Sequence, residues 1–246
     1  MTGGRFLPSS RSLAVGVILA AVAACAYIGA RETSVFAVHS IQVEGVSPAL
    51  GRRVEAALEP LAGVSLLKLK PDDVSRLATA LPDVASVTYD RAFPNTLRVR
   101  VEAEQPLAVL RRASESWLVS RHGRVMQKVA RGAFAALPRI WVPQSVNVAL
   151  GSTLSSGDGA AEAAALAPVR SAGLSPRVLS VGIKAGQISY ALRGGVELRV
   201  GSADDLPLKL TIARQILGET TIVGYLDVSV PERPVAGDNP QLSGGG

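Results

Sequence analysis

VASVTYDRAFPNTLRVRVEAE, residues 84–104, decides the fold. Val87 and Tyr89 alternate with Thr88 and Asp90. Leu97, Val99 and Val101 alternate with Arg98, Arg100 and Glu102. A period of two places one set on a core and the other in water, so both halves read as half-buried strands. Phe93-Pro94-Asn95 supplies the turn between them, which makes a hairpin. Upstream, Pro71 opens a helix with Asp72 and Asp73 in its first turn, where the helix dipole favours acids. Val74, Leu77, Ala78 and Leu81 form its buried stripe, and Pro82 stops it. Further upstream, Leu50, Val54, Leu58 and Leu61 recur every three or four residues after Pro48 and define another helix, ended by Pro60 and Gly63. Before that, Ile41 and Val43 alternate with Gln42 and Glu44 in a strand closed by Gly45. The order over residues 36–104 is strand, helix, helix, strand, strand. It predicts a three-stranded sheet with both helices on one face and an arginine-bearing face in water.

Ahead of this domain, Leu13–Ala30 (LAVGVILAAVAACAYIGA) runs without a charge. At 1.5 Å per residue, 18 residues reach about 27 Å, just enough for a hydrocarbon core. Arg5 and Arg11 precede it, and Arg31 is offset by Glu32. The bias keeps residues 1–12 in the cytoplasm and sends the remainder outside. The run itself supports three readings. It is an uncleaved anchor, a cleaved signal peptide ending near Ala26 or Ala30, or a lipoprotein signal with Val22-Ala23-Ala24-Cys25 before a lipidated cysteine. The downstream part of the chain favours the anchor.

Behind the hairpin, residues 105–235 read as a mixed, β-rich domain with flanking helices. Strands are expected at Pro106–Arg112, Trp117–Ser120, Val125–Val129, Val178–Val181, Ile188–Leu192 and Val196–Val200. Ala160–Ser171 is an Ala-rich helix. A second helix carries Leu206, Leu210, Ala213 and Leu217 on one face, capped by Ser202-x-x-Asp205 and ended by Gly218. A final strand, Ile222–Val230, alternates Leu226, Val228 and Val230 with Tyr225, Asp227 and Ser229, and is stopped by Pro231 and Pro234. Residues 236–246 read as a flexible tail. The fold class is α+β.

Composition limits function. The chain has 246 residues, 48% of them apolar, which is globular rather than disordered. Its charge of +6 is spread, with no basic run of the kind that marks a nucleic-acid surface. One cysteine, Cys25, rules out a disulfide framework and a Cys-rich zinc site. Ser65-Leu66-Leu67-Lys68 matches the SxxK of penicillin-binding enzymes, but SDN- and KTG-like partners are missing. Asp72-Asp73 and Asp204-Asp205 read as helix-start acids, His122 as a turn residue, and Trp117 and Trp141 as packing residues. No catalytic, metal or cofactor site is expected, and no small-molecule substrate.

Several stretches together resemble the FtsQ/DivIB cell-division family, whose outer region begins with a POTRA domain. They are Phe36-x-Val38-x-x-Ile41-x-Val43-x-Gly45, the hairpin Phe93-Pro94-Asn95-Thr96-Leu97-x-Val99-x-Val101 with Glu104-x-Pro106, Leu118 to Gly123, Leu137-Pro138, and Tyr225-Leu226-Asp227. The resemblance covers about residues 13–235. It departs from the family at Ser229, where an Arg is common, and in its short head. It implies a bitopic, non-enzymatic division scaffold, single-pass in the cell membrane with its C-terminus outside, located at the septum. It implies recruitment of FtsB/DivIC-like and FtsL-like partners, and so control of septal peptidoglycan synthesis. The partner would add a β-strand along Tyr225, Leu226, Asp227, Val228, Ser229 and Val230, with Glu232 and Arg233 flanking. Rival readings are an envelope protein lipidated at Cys25 and a POTRA-type chaperone or secretion partner.

Overall fold

The computed structural model describes residues 10–32 and 34–238. The chain divides into two compact units, Met1–Ala103 and Glu104–Gly246.

In the first unit, helix α1 (Ser10–Glu32) and a 3₁₀ turn (Ser34–Phe36) precede β1 (Ser40–Glu44), α2 (Pro48–Leu58), a 3₁₀ turn (Glu59–Leu61), α3 (Pro71–Thr79), β2 (Val84–Ala92) and β3 (Thr96–Ala103). Ser47 caps α2, its hydroxyl oxygen accepting from the Leu50 N–H. Asp72 and Asp73 fall in the first turn of α3, as the sequence indicates. The sheet runs β1-β3-β2, with β3 parallel to β1 and antiparallel to β2. β3 is therefore central. Its Leu97, Val99 and Val101 are buried against Val54, Leu58, Val74 and Ala78 of the two helices. Each such aliphatic contributes about 1.5–3 kcal/mol when fully covered. Arg98 and Arg100 point to water on the other face, 3.6 and 3.9 Å from the Glu44 carboxylate. Gly45 has φ +89°, and a Cβ there would lie 2.6 Å from the Val101 carbonyl oxygen, so the turn after β1 needs glycine.

Helix α1 is 23 residues long. The residues of it whose exposure is described, 14–24 and Gly29, are all exposed. Among the described residues no helix is long and apolar enough to cross a membrane. The expected head falls mostly at 1–9 and the expected tail mostly at 239–246, outside the described residues.

The second unit is built on a nine-stranded mixed sheet. Its elements are β4 (Pro106–Arg112), β5 (Glu115–Ser120), β6 (Val125–Lys128), β7 (Arg139–Trp141), α4 (Ala160–Ser171), β8 (Val178–Lys184), β9 (Gln187–Leu192), β10 (Glu197–Gly201), α5 (Leu206–Glu219), β11 (Tyr225–Asp227) and β12 (Val235–Gly237). The order across the sheet is β12-β11-β10-β9-β8-β7-β4-β5-β6. The main core joins α4 and α5 to one sheet face, through Leu166, Val169, Leu210 and Ala213 against Leu110, Ile140, Tyr190, Leu198 and Leu226. Tyr190 is fully buried, and its hydroxyl donates to the Ala165 carbonyl of α4 at 2.7 Å. Burial pushes its pKa up from the ordinary tyrosine value.

Three expectations are corrected here. Two strands, Arg139–Trp141 and Val235–Gly237, lie outside the expected set, and the second extends the fold past residue 235. Ser202-x-x-Asp205 does not form a capping box. Asp205 has φ +51° and makes no side-chain cap bond, while Ser202 Oγ donates to Asp204 instead, so neither Asp204 nor Asp205 lies inside the helix. The last run is also shorter than expected. Only Tyr225–Asp227 is strand, because the chain turns after Val228 and leaves Val230 exposed.

Candidate partner-binding edge

The sheet ends in β10, β11 and β12. β11 runs parallel to β10, pairing Glu197 with Tyr225, Leu198 with Leu226 and Arg199 with Asp227. It runs antiparallel to β12, pairing Tyr225 with Gly237, Leu226 with Ala236 and Asp227 with Val235. Thus β11 is not a free edge. Its backbone is taken on both sides, and the terminal strand is β12.

Backbone parity fixes which groups face outward. The Glu197 N–H donates to the Gly224 carbonyl, and the Val228 N–H donates to the Arg199 carbonyl at 2.8 Å. Even-numbered residues of β11 therefore address β10, and Tyr225 and Asp227 address β12. Their register partners Gly237 and Val235 face back toward β11. Ala236 then directs its N–H and C=O away from the sheet, to the open side.

The predicted site residues divide accordingly. Leu226 and Val228 are fully buried in the core. Val228 supplies a ladder bond to β10, so proline there would break the sheet rather than an edge. Tyr225, Asp227 and Ser229 face the side of the sheet away from the helices. Ser229 N–H donates to Asp227 Oδ1 at 2.9 Å. The Arg233 N–H donates to the Val230 carbonyl at 3.0 Å, closing a turn that carries the exposed Glu232 and Arg233. That turn makes β11 and β12 a hairpin.

A charged stack borders the hairpin. The Arg199 guanidinium lies 4.1 Å from the centre of the Tyr225 ring. It also donates to Glu197 Oε2, from Nη2 at 2.9 Å and from Nε at 3.2 Å. The hydrogen bonds it donates to Glu197 raise the Arg199 pKa further, opposed by burial. Gly237 lies under the same ring, where a Cβ would come within 2.6 Å of Tyr225 Cε1. Beside the stack, Lys184, Gln187, Ser189, Arg199 and Ser229 line an open groove of ≈ 620 Å³.

The residues missed by sequence reasoning are Val235, Ala236 and Gly237. A signal was present. Pro234 stands just before them, and proline is tolerated at the start of an edge strand. Of the other motifs, Ser65 forms an isolated bridge with Ala37, its hydroxyl buried, away from any helix start. His122 sits in a turn, its Nδ1 2.9 Å from the buried Glu104 carboxylate. Trp117 is core, whereas Trp141, expected to pack, is half exposed on β7.

The described residues thus form a strand-helix-helix-strand-strand unit and a separate β domain whose sheet ends in β12. Residues 36–102 match the family model described as POTRA domain, FtsQ-type. The cell division protein FtsQ of Agrobacterium fabrum (strain C58 / ATCC 33970) is 29% identical over 103 residues, which are 42% of this chain and 32% of that relative. The match thus spans about a third of the relative's length. Residues 36–102 are thus similar to the FtsQ-type POTRA domain, and part of the chain is similar to an FtsQ cell division protein.

Proposed function

We propose that the chain is a non-enzymatic division scaffold, anchored by α1 and acting outside the membrane through strand addition at the β12 edge. The observation that carries this reading is the outward N–H and C=O of Ala236 at the end of the sheet. An extended segment of an FtsB/DivIC-like partner pairs there, and an FtsL-like protein joins through that partner. Recruitment of these proteins to the septum helps control peptidoglycan synthesis. Side chains of the stack and turn, Tyr225, Arg199, Glu232 and Arg233, give specificity, while the backbone gives affinity. The anchor reading draws on the exposed apolar side chains of α1, the uncharged run Leu13–Ala30 and the FtsQ relative.

Two neighbouring prolines test the edge. Ala236→Pro removes the outward donor and leaves the β11·β12 ladder intact. Val235→Pro removes a donor aimed at β11. With the full chain in detergent and the outer region of the FtsB/DivIC-like protein, Ala236→Pro loses at least tenfold in affinity with an unchanged melting temperature. Val235→Pro lowers both. Full affinity in Ala236→Pro places the partner elsewhere.

A further inference from the structure

On the sheet face away from α4 and α5, three arginines gather. Arg111 of β4 lies opposite Ser116 of β5 and opposite Trp141 of β7. Arg139 stands two residues before Trp141, hence on the same face and diagonal to Arg111. Arg131 belongs to the loop from β6 to β7. That loop packs Val129 and Leu137 onto Val109, Leu118 and Met126, which holds it over this face.

Arg111 is 7% exposed, and its Nε has no hydrogen-bond partner among the described residues. Its neighbour Ser116 is 2% exposed, and its Oγ is equally unpartnered. The Arg111 guanidinium is held 5.6 Å from the Trp141 ring centre. Burial lowers the Arg111 pKa, and the positive charges of Arg139 and Arg131 lower it further, so all three lie within electrostatic reach. Among the described residues none of the three makes an ion pair. The adjacent Arg112 is the contrast. It points to the opposite face and is neutralised by Glu115, which Lys128 also reaches at 2.6 Å.

Buried unpaired donors and clustered like charges both cost stability, and one bound anion relieves both. We propose that Arg111, Arg139 and Arg131 form a recessed oxyanion site that takes a carboxylate or phosphate group. Guanidinium forks match either group with paired N–H bonds. Ser116 Oγ–H adds a donor, and Trp141 holds the Arg111 plane in place. The site is separate from the partner edge. Five strands stand between β4 and β12, so at 4.7–4.9 Å per strand the two are about 29 Å apart. Its failure would leave the strand-addition reading untouched.

The two tryptophans of the chain provide the readout. In a Trp117→Phe background, emission comes from Trp141 alone. The full chain in detergent is titrated with sodium phosphate, and separately with sodium chloride at matched ionic strength. Phosphate is expected to give a saturable change that chloride does not. Adding Arg131→Gln and Arg139→Gln raises the half-saturation concentration at least tenfold, with no fall in melting temperature. Arg139→Lys, which keeps the charge but not the fork, lies between. Arg112→Gln, which removes a positive charge on the other face, leaves the curve unchanged. Repeating the titration in nanodiscs separates the sources. A phosphate response present in phosphatidylcholine and lost with phosphatidylglycerol assigns the site to a lipid headgroup, and one retained in both assigns it to a soluble anion. Identical responses to phosphate and chloride, or an equal loss from Arg112→Gln, overturn the proposal.

Discussion

At position 224 only glycine fits, because φ is +85° and a Cβ would collide with the Gly237 carbonyl oxygen across the hairpin. Gly224→Ala is therefore expected to cost about 2–4 kcal/mol, combining left-handed backbone strain with overpacking, and a denaturant melt measures it. A second residue-scale prediction concerns acid. Glu115 receives hydrogen bonds first from Lys128 and then from Arg112, and these hold its pKa below the usual carboxylate value despite a desolvation that raises it. A depressed carboxyl contributes stability above its unfolded pKa and loses it as pH falls through the folded pKa. Melting temperature against pH should thus drop on the acid side, and Glu115→Gln should flatten that drop. A third prediction is at Tyr190. Its hydroxyl is buried and bonded to α4, so Tyr190→Phe should cost about 1 kcal/mol in the same melt.

At the scale of elements, what the sequence revealed depended on length and period. The hairpin of residues 84–104 was legible because eight or nine alternating residues show the period clearly. β7 and β12 have three residues each, too few for a period, and each has a proline immediately before it. β7 is also recruited by β4 and β8 from far along the chain, and no local pattern encodes such parallel pairing. The cap at Ser202 misleads because the pattern S-x-x-D is present while the backbone at Asp205 takes the left-handed region. The candidate site was half legible. Tyr225 and Asp227 lie in the hairpin that closes the sheet, but the alternation through Val230 hid the turn that folds β12 back beside them. Open edge and buried strand look alike until the register is known.

At the scale of the whole molecule, the two units carry separate cores, one around β3 with α2 and α3, the other around Tyr190 with α4 and α5. Residues 36–104 expressed alone should then melt cooperatively and give dispersed amide signals. Topology is the companion prediction. A reporter active only outside the cytoplasm, fused after Gly246, should be active, and the membrane-bound chain should retain residues before Leu13. A mature start at Cys25 would favour the lipidated reading. The central claim is strand addition at β12, and amide hydrogen exchange at Ala236 tests it most directly. In the free chain the Val235 and Gly237 amides, bonded to β11, should exchange slowly, and the Ala236 amide should exchange fast. With the FtsB/DivIC-like partner at saturation, the account predicts that Ala236 becomes at least tenfold slower while its two neighbours change little. An Ala236 amide that exchanges equally fast in the free and saturated protein would contradict it.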